Sequence, residues 1–279
     1  MQAILRLIAA LPLRFLHALG TVLGWAMYGM SPTYRRHLRE NLARARIDDA
    51  RVRRGAIAAA GQMIMELPAL WLRPHGDVTA LVKEASGADA AYAEQKAGKA
   101  ILFLTPHMGS FEVAAQYAAG RAPITLLYRR PKAAWLDPVM RAGRGRLNAR
   151  LVRADFGGVR EIFAAIKRGE AIGLLPDQVP GVGEGEWSEF FGRPAYTMTL
   201  AAKLAERDSV ACYLAFARRL PRGEGYALVV RPLPAARAGE SATRRMNRAL
   251  EELIAECPEQ YLWGYNRYKT PAGAPPPPE

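Results

Sequence analysis

Residues 101–119 read ILFLTPHMGSFEVAAQYAA. Ile101 to Thr105 is a compact uncharged apolar run, the signature of a strand buried on both faces. Pro106 stops it, since proline offers no N–H to a neighbouring strand. Gly109 and Ser110 then read as a turn, and from Ser110 to Ala119 the pattern is helical. The same alternation continues downstream. Ile124–Tyr128 predicts a strand, Leu136–Asn148 a basic helix, Gly158–Arg168 a helix and Ala171–Leu175 a strand. Strands alternating with helices predict an α/β fold with a mostly parallel central sheet flanked by helices. Pro176–Pro194 reads as a long loop rich in glycine and proline, followed by a helix at Thr197–Glu206. Val210–Arg218 and Tyr226–Leu233 read as hairpin partners across Pro221–Gly225, and Ser241–Glu256 as a capped helix. Upstream, residues 50–72 form an amphipathic helical pattern, and Pro271–Glu279 is a proline-rich tail expected to stay unpacked.

The 279 residues are half apolar and 23% charged, which excludes a largely disordered chain and a multi-span membrane protein. The formal net charge of +13 favours an anionic partner: a phosphorylated substrate, an anionic lipid or nucleic acid. The surplus is concentrated. Arg6, Arg14, Arg35, Arg36, Arg39, Arg44, Arg46, Arg51, Arg53 and Arg54 face only Glu40, Asp48 and Asp49 within residues 1–55. A second basic window covers residues 128–168, where Arg129, Arg130, Lys132, Arg141, Arg144, Arg146 and five further cations outnumber Asp137, Asp155 and Glu161. Cys212 and Cys257 are too few and too isolated for a disulfide framework or a zinc site. The histidines at 17, 37, 75 and 107 are scattered, so neither a metal nor another bound cofactor is expected.

From Ile4 to Met30 the chain is nearly all apolar, broken by Arg6, Pro12, Arg14 and His17. As one helix it would reach about 40 Å, longer than the hydrocarbon layer. Pro12 and Arg14 divide it, however, and no small-residue cleavage signal follows. A retained single span and a helix pair lying in the membrane interface both fit, and a buried first helix is the plainer alternative. The arginines that follow place the rest of the chain on the cytoplasmic side and attract anionic headgroups. The expected organisation is a hydrophobic anchoring segment at 1–34, one α/β domain at 35–270, and the tail at 271–279.

His107 is the histidine with a promising setting, directly after a buried strand, where open α/β sheets build their sites. Glu112 follows five residues later. With His107 in the turn and Glu112 in the first helical turn, the carboxylate is expected to fold back on the imidazole and stabilise it once protonated. No G-x-S-x-G serine elbow is present, so the pair suits a general base acting on a substrate hydroxyl.

HMGSFE at 107–112 also matches the H-x4-[DE] signature of glycerolipid-type acyltransferases, and the surrounding sequence resembles the lipid A lauroyl and myristoyl acyltransferase family. LYRRP at 127–131, LDPVMRAGRGRLN at 136–148, LLPDQVPG at 174–181, FFGRPA at 190–195 and QYLWGYNRYKT at 260–270 agree in order and spacing. The resemblance covers about residues 5–270. It implies an acyltransferase on the cytoplasmic side of the bacterial inner membrane that moves a fatty acyl chain from acyl carrier protein to a hydroxyl of a lipid A precursor. By that resemblance His107 and Glu112 are catalytic, and Arg129, in the Tyr-Arg block, is the oxyanion or acyl-donor candidate. Arg144, Arg146 and Arg267 are candidates for substrate phosphates or the carrier protein, and Asp177 is a structural or site-loop candidate. The chain departs from the family where Val179 stands in place of a second acidic residue and where Tyr265 and Asn266 replace His-Arg.

The glycine-rich loop is expected to lie over an acyl channel, with Trp135, Trp187, Phe190 and Phe191 lining that channel, seated in lipid or packed in the core. The alternatives are the same chemistry on a lysophospholipid or glycolipid, and a non-catalytic basic membrane-binding protein. No RNA-binding or helix-turn-helix motif supports a nucleic-acid partner.

Overall fold

A computed structural model describes residues 2–131 and 133–278; Lys132 of the basic window and Glu279 of the tail lie outside them. Four helices come first: α1 (Gln2–Ala10), α2 (Leu13–Met30), α3 (Pro32–Arg44) and α4 (Ala50–Leu72). Pro12 breaks the apolar segment, and α1 and α2 meet at 115°. The α3 N-terminus is closed by Ser31 Oγ, which accepts the Tyr34 N–H, and that of α4 by Asp49, which accepts from Arg51 and Val52. Then come α5 (His75–Thr79), β1 (Val82–Ser86), α6 (Ala88–Lys96), β2 (Ala100–Leu104), α7 (Phe111–Arg121), β3 (Ile124–Tyr128), α8 (Leu136–Arg144), β4 (Ala149–Arg153), α9 (Phe156–Lys167) and β5 (Ala171–Leu174). The chain closes with β6 (Gly185–Phe190), β7 (Arg193–Met198), α10 (Thr199–Ala205), β8 (Val210–Arg219), β9 (Tyr226–Pro232) and α11 (Ala242–Glu256).

Seven strands form the central sheet in the order β1-β9-β8-β2-β5-β3-β4. The pairs from β8 to β4 are all parallel, β9 runs antiparallel to β8 as the expected hairpin, and β1 pairs parallel with β9. The α/β architecture read from the sequence is the one observed. All five residues of β2 are buried. Leu102 and Leu104 face the layer made by α9, α10 and α11, whereas Ile101 and Phe103 face α6 and α7.

The segment expected to be a long loop contains a hairpin. β6 and β7 pair antiparallel from Gly185↔Met198 to Phe190↔Arg193. The two turn residues, Phe191 at φ 47° and Gly192 at φ 73°, both take the left-handed conformation that a tight two-residue turn needs. The basic helix is also shorter than expected, because α8 ends at Arg144 before Gly145.

α2 lies along α4 with backbone touching backbone. A Cβ added to Gly61 would stand 1.9 Å from Gly20 O, and one on Gly24 would stand 2.0 Å from Ile57 O. Leu13, Leu16 and His17 are buried on that face, while Phe15, Leu19, Val22, Trp25 and Met30 form an exposed apolar stripe on the other. Packing therefore does not separate residues 1–34 from the domain behind them. At the other end, the tail touches the domain where Trp187 Nε1 donates to Pro275 O at 2.9 Å.

Candidate active site

β2 and β5 are neighbours in parallel register, with Leu104 opposite Leu174. Their continuations, Thr105-Pro106-His107 and Leu175-Pro176-Asp177, therefore leave the sheet side by side at its carboxyl end, where open α/β sheets place ligands. His107 Nδ1 lies 2.8 Å from Asp177 Oδ1, and the His107 backbone N–H donates to Asp177 Oδ2 at 2.9 Å. The Asp177 side chain is 2% exposed and that of His107 18%. Burial opposes the charged carboxylate. The imidazole and the two hydrogen bonds outweigh it and hold Asp177 below its ordinary range. A carboxylate on Nδ1 fixes the imidazole with Nδ1 protonated and Nε2 bare. Gln178 Nε2 lies 3.2 Å from that Nε2, in the place a substrate hydroxyl would take.

The His107 turn is stapled on the opposite side by residues 260–262. Leu262 N–H donates to His107 O and Gly109 N–H to Gln260 O, each at 3.0 Å. Gly109 has φ 54°, and a Cβ there would stand 2.2 Å from Ala217 O, so the turn admits only glycine.

Glu112 does not pair with His107, contrary to the expectation from spacing. It sits in the first turn of α7, where its side chain points toward α4 and α8. There it accepts from Arg144 Nε at 2.8 and 3.0 Å, from Arg144 Nη2, and from Trp71 Nε1 at 3.1 Å. The residue that takes the imidazole is Asp177, 70 positions on. Sequence reading kept Asp177 as a structural candidate; the adjacent strand ends were the signal that joins it to His107. Gln178 and Trp71 were missed. Gln178 follows Asp177 directly, whereas nothing local marks Trp71.

The arginines separate by what they touch. Arg129 and Arg144 both line the cavity described below. Arg129 is 62% exposed with Glu184 at 4.0 Å, whereas Arg144 is fixed by Glu112. Arg146 is spent on backbone carbonyls: Gly143 O at 2.8 Å, Leu70 O at 2.6 Å and Arg73 O. Arg267, 2% exposed, donates to Tyr196 O and Thr197 Oγ1, each at 2.8 Å, and lies against the Phe190 ring. Neither Arg146 nor Arg267 offers a free guanidinium to a phosphate.

His107 opens onto a cavity of about 640 Å³. Leu126, Gly173, Phe103, Ala215 and Leu228 floor it from β3 to β9, beneath Ala114, Ala115 and Ala118 of α7. That path crosses four strand spacings, about 19 Å, and ends against Ala88 and Tyr92 of α6. Gln178, Val179 and Glu184 of the glycine-rich loop are among the residues that line it. Trp135, Trp187, Phe190 and Phe191 do not line it. Phe190 is 2% exposed in the core, and Trp135 is 51% exposed.

A histidine–carboxylate pair facing a deep apolar tunnel suits acyl chemistry, and relatives agree. The chain is 29% identical over 223 residues to the lipid A biosynthesis lauroyltransferase of Escherichia coli K12, covering 78% of this chain and 72% of that one. It is 28% identical over 213 residues to the lipid A biosynthesis palmitoleoyltransferase of the same organism, covering 75% and 69%. A lipid A biosynthesis acyltransferase of Haemophilus influenzae is 25% identical over 172 residues, covering 60% and 52%. The description of the bacterial lipid A biosynthesis acyltransferases matches residues 1–270, so the chain belongs to that family and is an acyltransferase of lipid A synthesis.

Proposed function

We propose that the chain transfers a fatty acyl group from acyl carrier protein to a hydroxyl of a lipid A precursor at the cytoplasmic face of the bacterial inner membrane. The observation that carries this reading is the His107–Asp177 pair at the mouth of the apolar tunnel. The acyl chain occupies the tunnel, with its thioester carbonyl beside His107. Nε2 removes the proton from the acceptor hydroxyl as the oxygen attacks that carbonyl. Asp177 keeps Nδ1 protonated and stabilises the imidazolium. The tetrahedral oxyanion requires a donor, a contribution worth about 3–4 kcal/mol. Arg129 is the exposed guanidinium in the cavity wall and takes that part. Collapse expels the thiolate, which recovers the proton from His107 as a thiol. Glu112 acts through Arg144 and Trp71, shaping the wall rather than touching the base. No bound cofactor is needed, since the thioester supplies the driving force.

Arg129 in the cavity wall and the exposed Arg130, Arg141 and Arg153 of the same basic window suit an acidic carrier protein and the phosphates of the acceptor. The apolar stripe of α2, joined by Ile4 and Leu7 of α1, meets the membrane. Arg35, Arg36 and Arg39 beyond it hold anionic headgroups. Because α2 spends its other face on α4, the pair is read as lying in one leaflet.

The test offers purified full-length protein decanoyl, lauroyl, myristoyl and palmitoyl carrier protein, with a tetraacyl lipid A precursor beside a lysophospholipid. Acylation of the precursor that disappears in His107→Ala is the expected result. Transfer to the lysophospholipid alone replaces the acceptor, and no transfer by folded protein overturns the proposal.

A further inference from the structure

Glu66, in the last third of α4, is 1% exposed, and Arg219, at the end of β8, is 5% exposed. Arg219 Nη2 donates to Glu66 Oε1 at 2.7 Å and Nε donates to Oε2 at 2.9 Å. The Tyr226 hydroxyl donates to the same Oε2 at 3.0 Å, and His17 Nε2 of α2 lies 3.1 Å from it. None of these four groups lines the acyl tunnel, and the transfer chemistry uses none of them. A buried ion pair is a poor way to stabilise a fold, because desolvation cancels most of its attraction and well-packed apolar residues often do as well or better. Among the described residues, this one also leaves Arg219 Nη1 buried without a partner.

Its remaining contacts lead to the catalytic turn. Arg219 Nη2 also donates to Gly109 O at 2.8 Å, two residues from His107. The Arg219 backbone N–H donates to Gln260 Oε1 at 2.8 Å, and Gln260 O accepts the Gly109 N–H at 3.0 Å. One arginine thus fixes both polar groups of the Gly109 backbone, directly at the carbonyl and through Gln260 at the amide. Glu66 orients that arginine, and His17 attaches the assembly to the helix whose other face is the exposed apolar stripe.

We propose that the buried Glu66–Arg219 pair is a positioning device for the reaction: it clamps Gly109 and so sets the angle at which the turn presents His107 to Asp177. The proposal rests on His107 being the base. A displacement of about 1 Å at a reacting group costs about a hundredfold in rate, so a slack Gly109 is expected to show in kcat.

The experiment compares wild type, Glu66→Met/Arg219→Met and Arg219→Lys as full-length protein. It measures kcat and KM for acyl carrier protein, melting temperature, and the downfield proton resonance of the His107 Nδ1–H···Asp177 hydrogen bond. The double variant removes both charges at similar volume. Because the Tyr226 hydroxyl, His17 and Gly109 O lose these partners, it is expected to melt below wild type while staying folded, to keep its KM, to lose about a hundredfold in kcat, and to lose or broaden the resonance. Arg219→Lys keeps the charge against Glu66, but a single ammonium cannot serve Glu66 and Gly109 with a fork's geometry. It is expected to fold and to show the same kcat loss, which keeps the test decisive if the double variant fails to fold. Wild-type kcat and an unchanged resonance in whichever variant folds overturn the proposal. A wild-type protein without transfer activity overturns the functional reading instead, and the resonance still reports on the clamp.

Discussion

Replacing Asp177 by asparagine separates the two carboxylates that compete for the role of histidine partner. In the structure one carboxylate serves two donors of His107, the ring Nδ1–H at 2.8 Å and the backbone N–H at 2.9 Å. Asparagine fits the same space but carries one acceptor oxygen and an NH2 group. It can satisfy only one of the two donors, and its NH2 facing Nδ1 moves the ring proton to Nε2. A base with its lone pair on the wrong nitrogen cannot take a proton from the acceptor. Charge-assisted hydrogen bonds are worth about 1.5–3 kcal/mol each, so two amount to about 3–6 kcal/mol. At 1.36 kcal/mol per tenfold this is about two to four orders of magnitude in kcat. The upper end agrees with the roughly ten-thousandfold loss for the equivalent change in serine proteases. Glu112→Gln is the companion variant. It loosens Arg144 and Trp71, so it is expected to lower the melting temperature and raise KM while kcat falls less than about tenfold. Single-turnover transfer from lauroyl carrier protein reads the chemical step in both. If Asp177→Asn stays within about tenfold of wild type while Glu112→Gln abolishes turnover, the His107–Asp177 pair is not the working dyad.

Three further outcomes are expected. Ala118→Phe places a ring in the tunnel beneath α7, so transfer of palmitoyl falls about tenfold or more relative to decanoyl; an unchanged ratio means the chain runs elsewhere. Leu19→Glu with Val22→Glu, at positions 48% and 68% exposed, leaves the melting temperature within a few degrees and abolishes flotation with anionic vesicles. Undiminished flotation removes α2 from the membrane contact. The Glu66 carboxyl resists burial through Arg219 and His17, which lower it from 4.5 to about 2. A depressed carboxylate contributes stability above its unfolded pKa and loses it as pH falls through the folded one. About 3 kcal/mol is therefore expected to drain between pH 4.5 and about 2. Urea midpoints measured across that window check this, and Glu66→Met/Arg219→Met is expected to flatten the slope.

The sheet was legible wherever strands are buried on both faces, because Ile101–Thr105, Ile124–Tyr128 and Ala171–Leu175 have to be uncharged and mostly apolar. β1 was not legible: its residues Val82–Ser86 include Lys83 and Glu84 and are largely exposed at the sheet edge. The β6–β7 hairpin was hidden by the glycines and prolines that precede it. His107 was legible as a site candidate from its position after β2, and the structure does set it at the carboxyl end of the sheet beside Asp177. Its partner was not, because local spacing offered Glu112, while Asp177 reaches the imidazole only through the pairing of β2 with β5. Arg146 and Arg267 show the converse. Their charge suggested a ligand, yet both are occupied by backbone carbonyls and a buried hydroxyl that no sequence pattern announces.

The glycine contact between α2 and α4 bears on how the protein can be handled. Hydrophobic leading helices are routinely deleted to obtain a soluble enzyme. Here that deletion would strip Leu13 and Leu16 from the interior, bare the Gly61 groove, and take His17 from Glu66. The newly uncovered surface would be stickier than the stripe removed. Detergent or nanodisc preparations of the intact chain are the form in which its enzymology can be done, and a truncated domain is expected to aggregate.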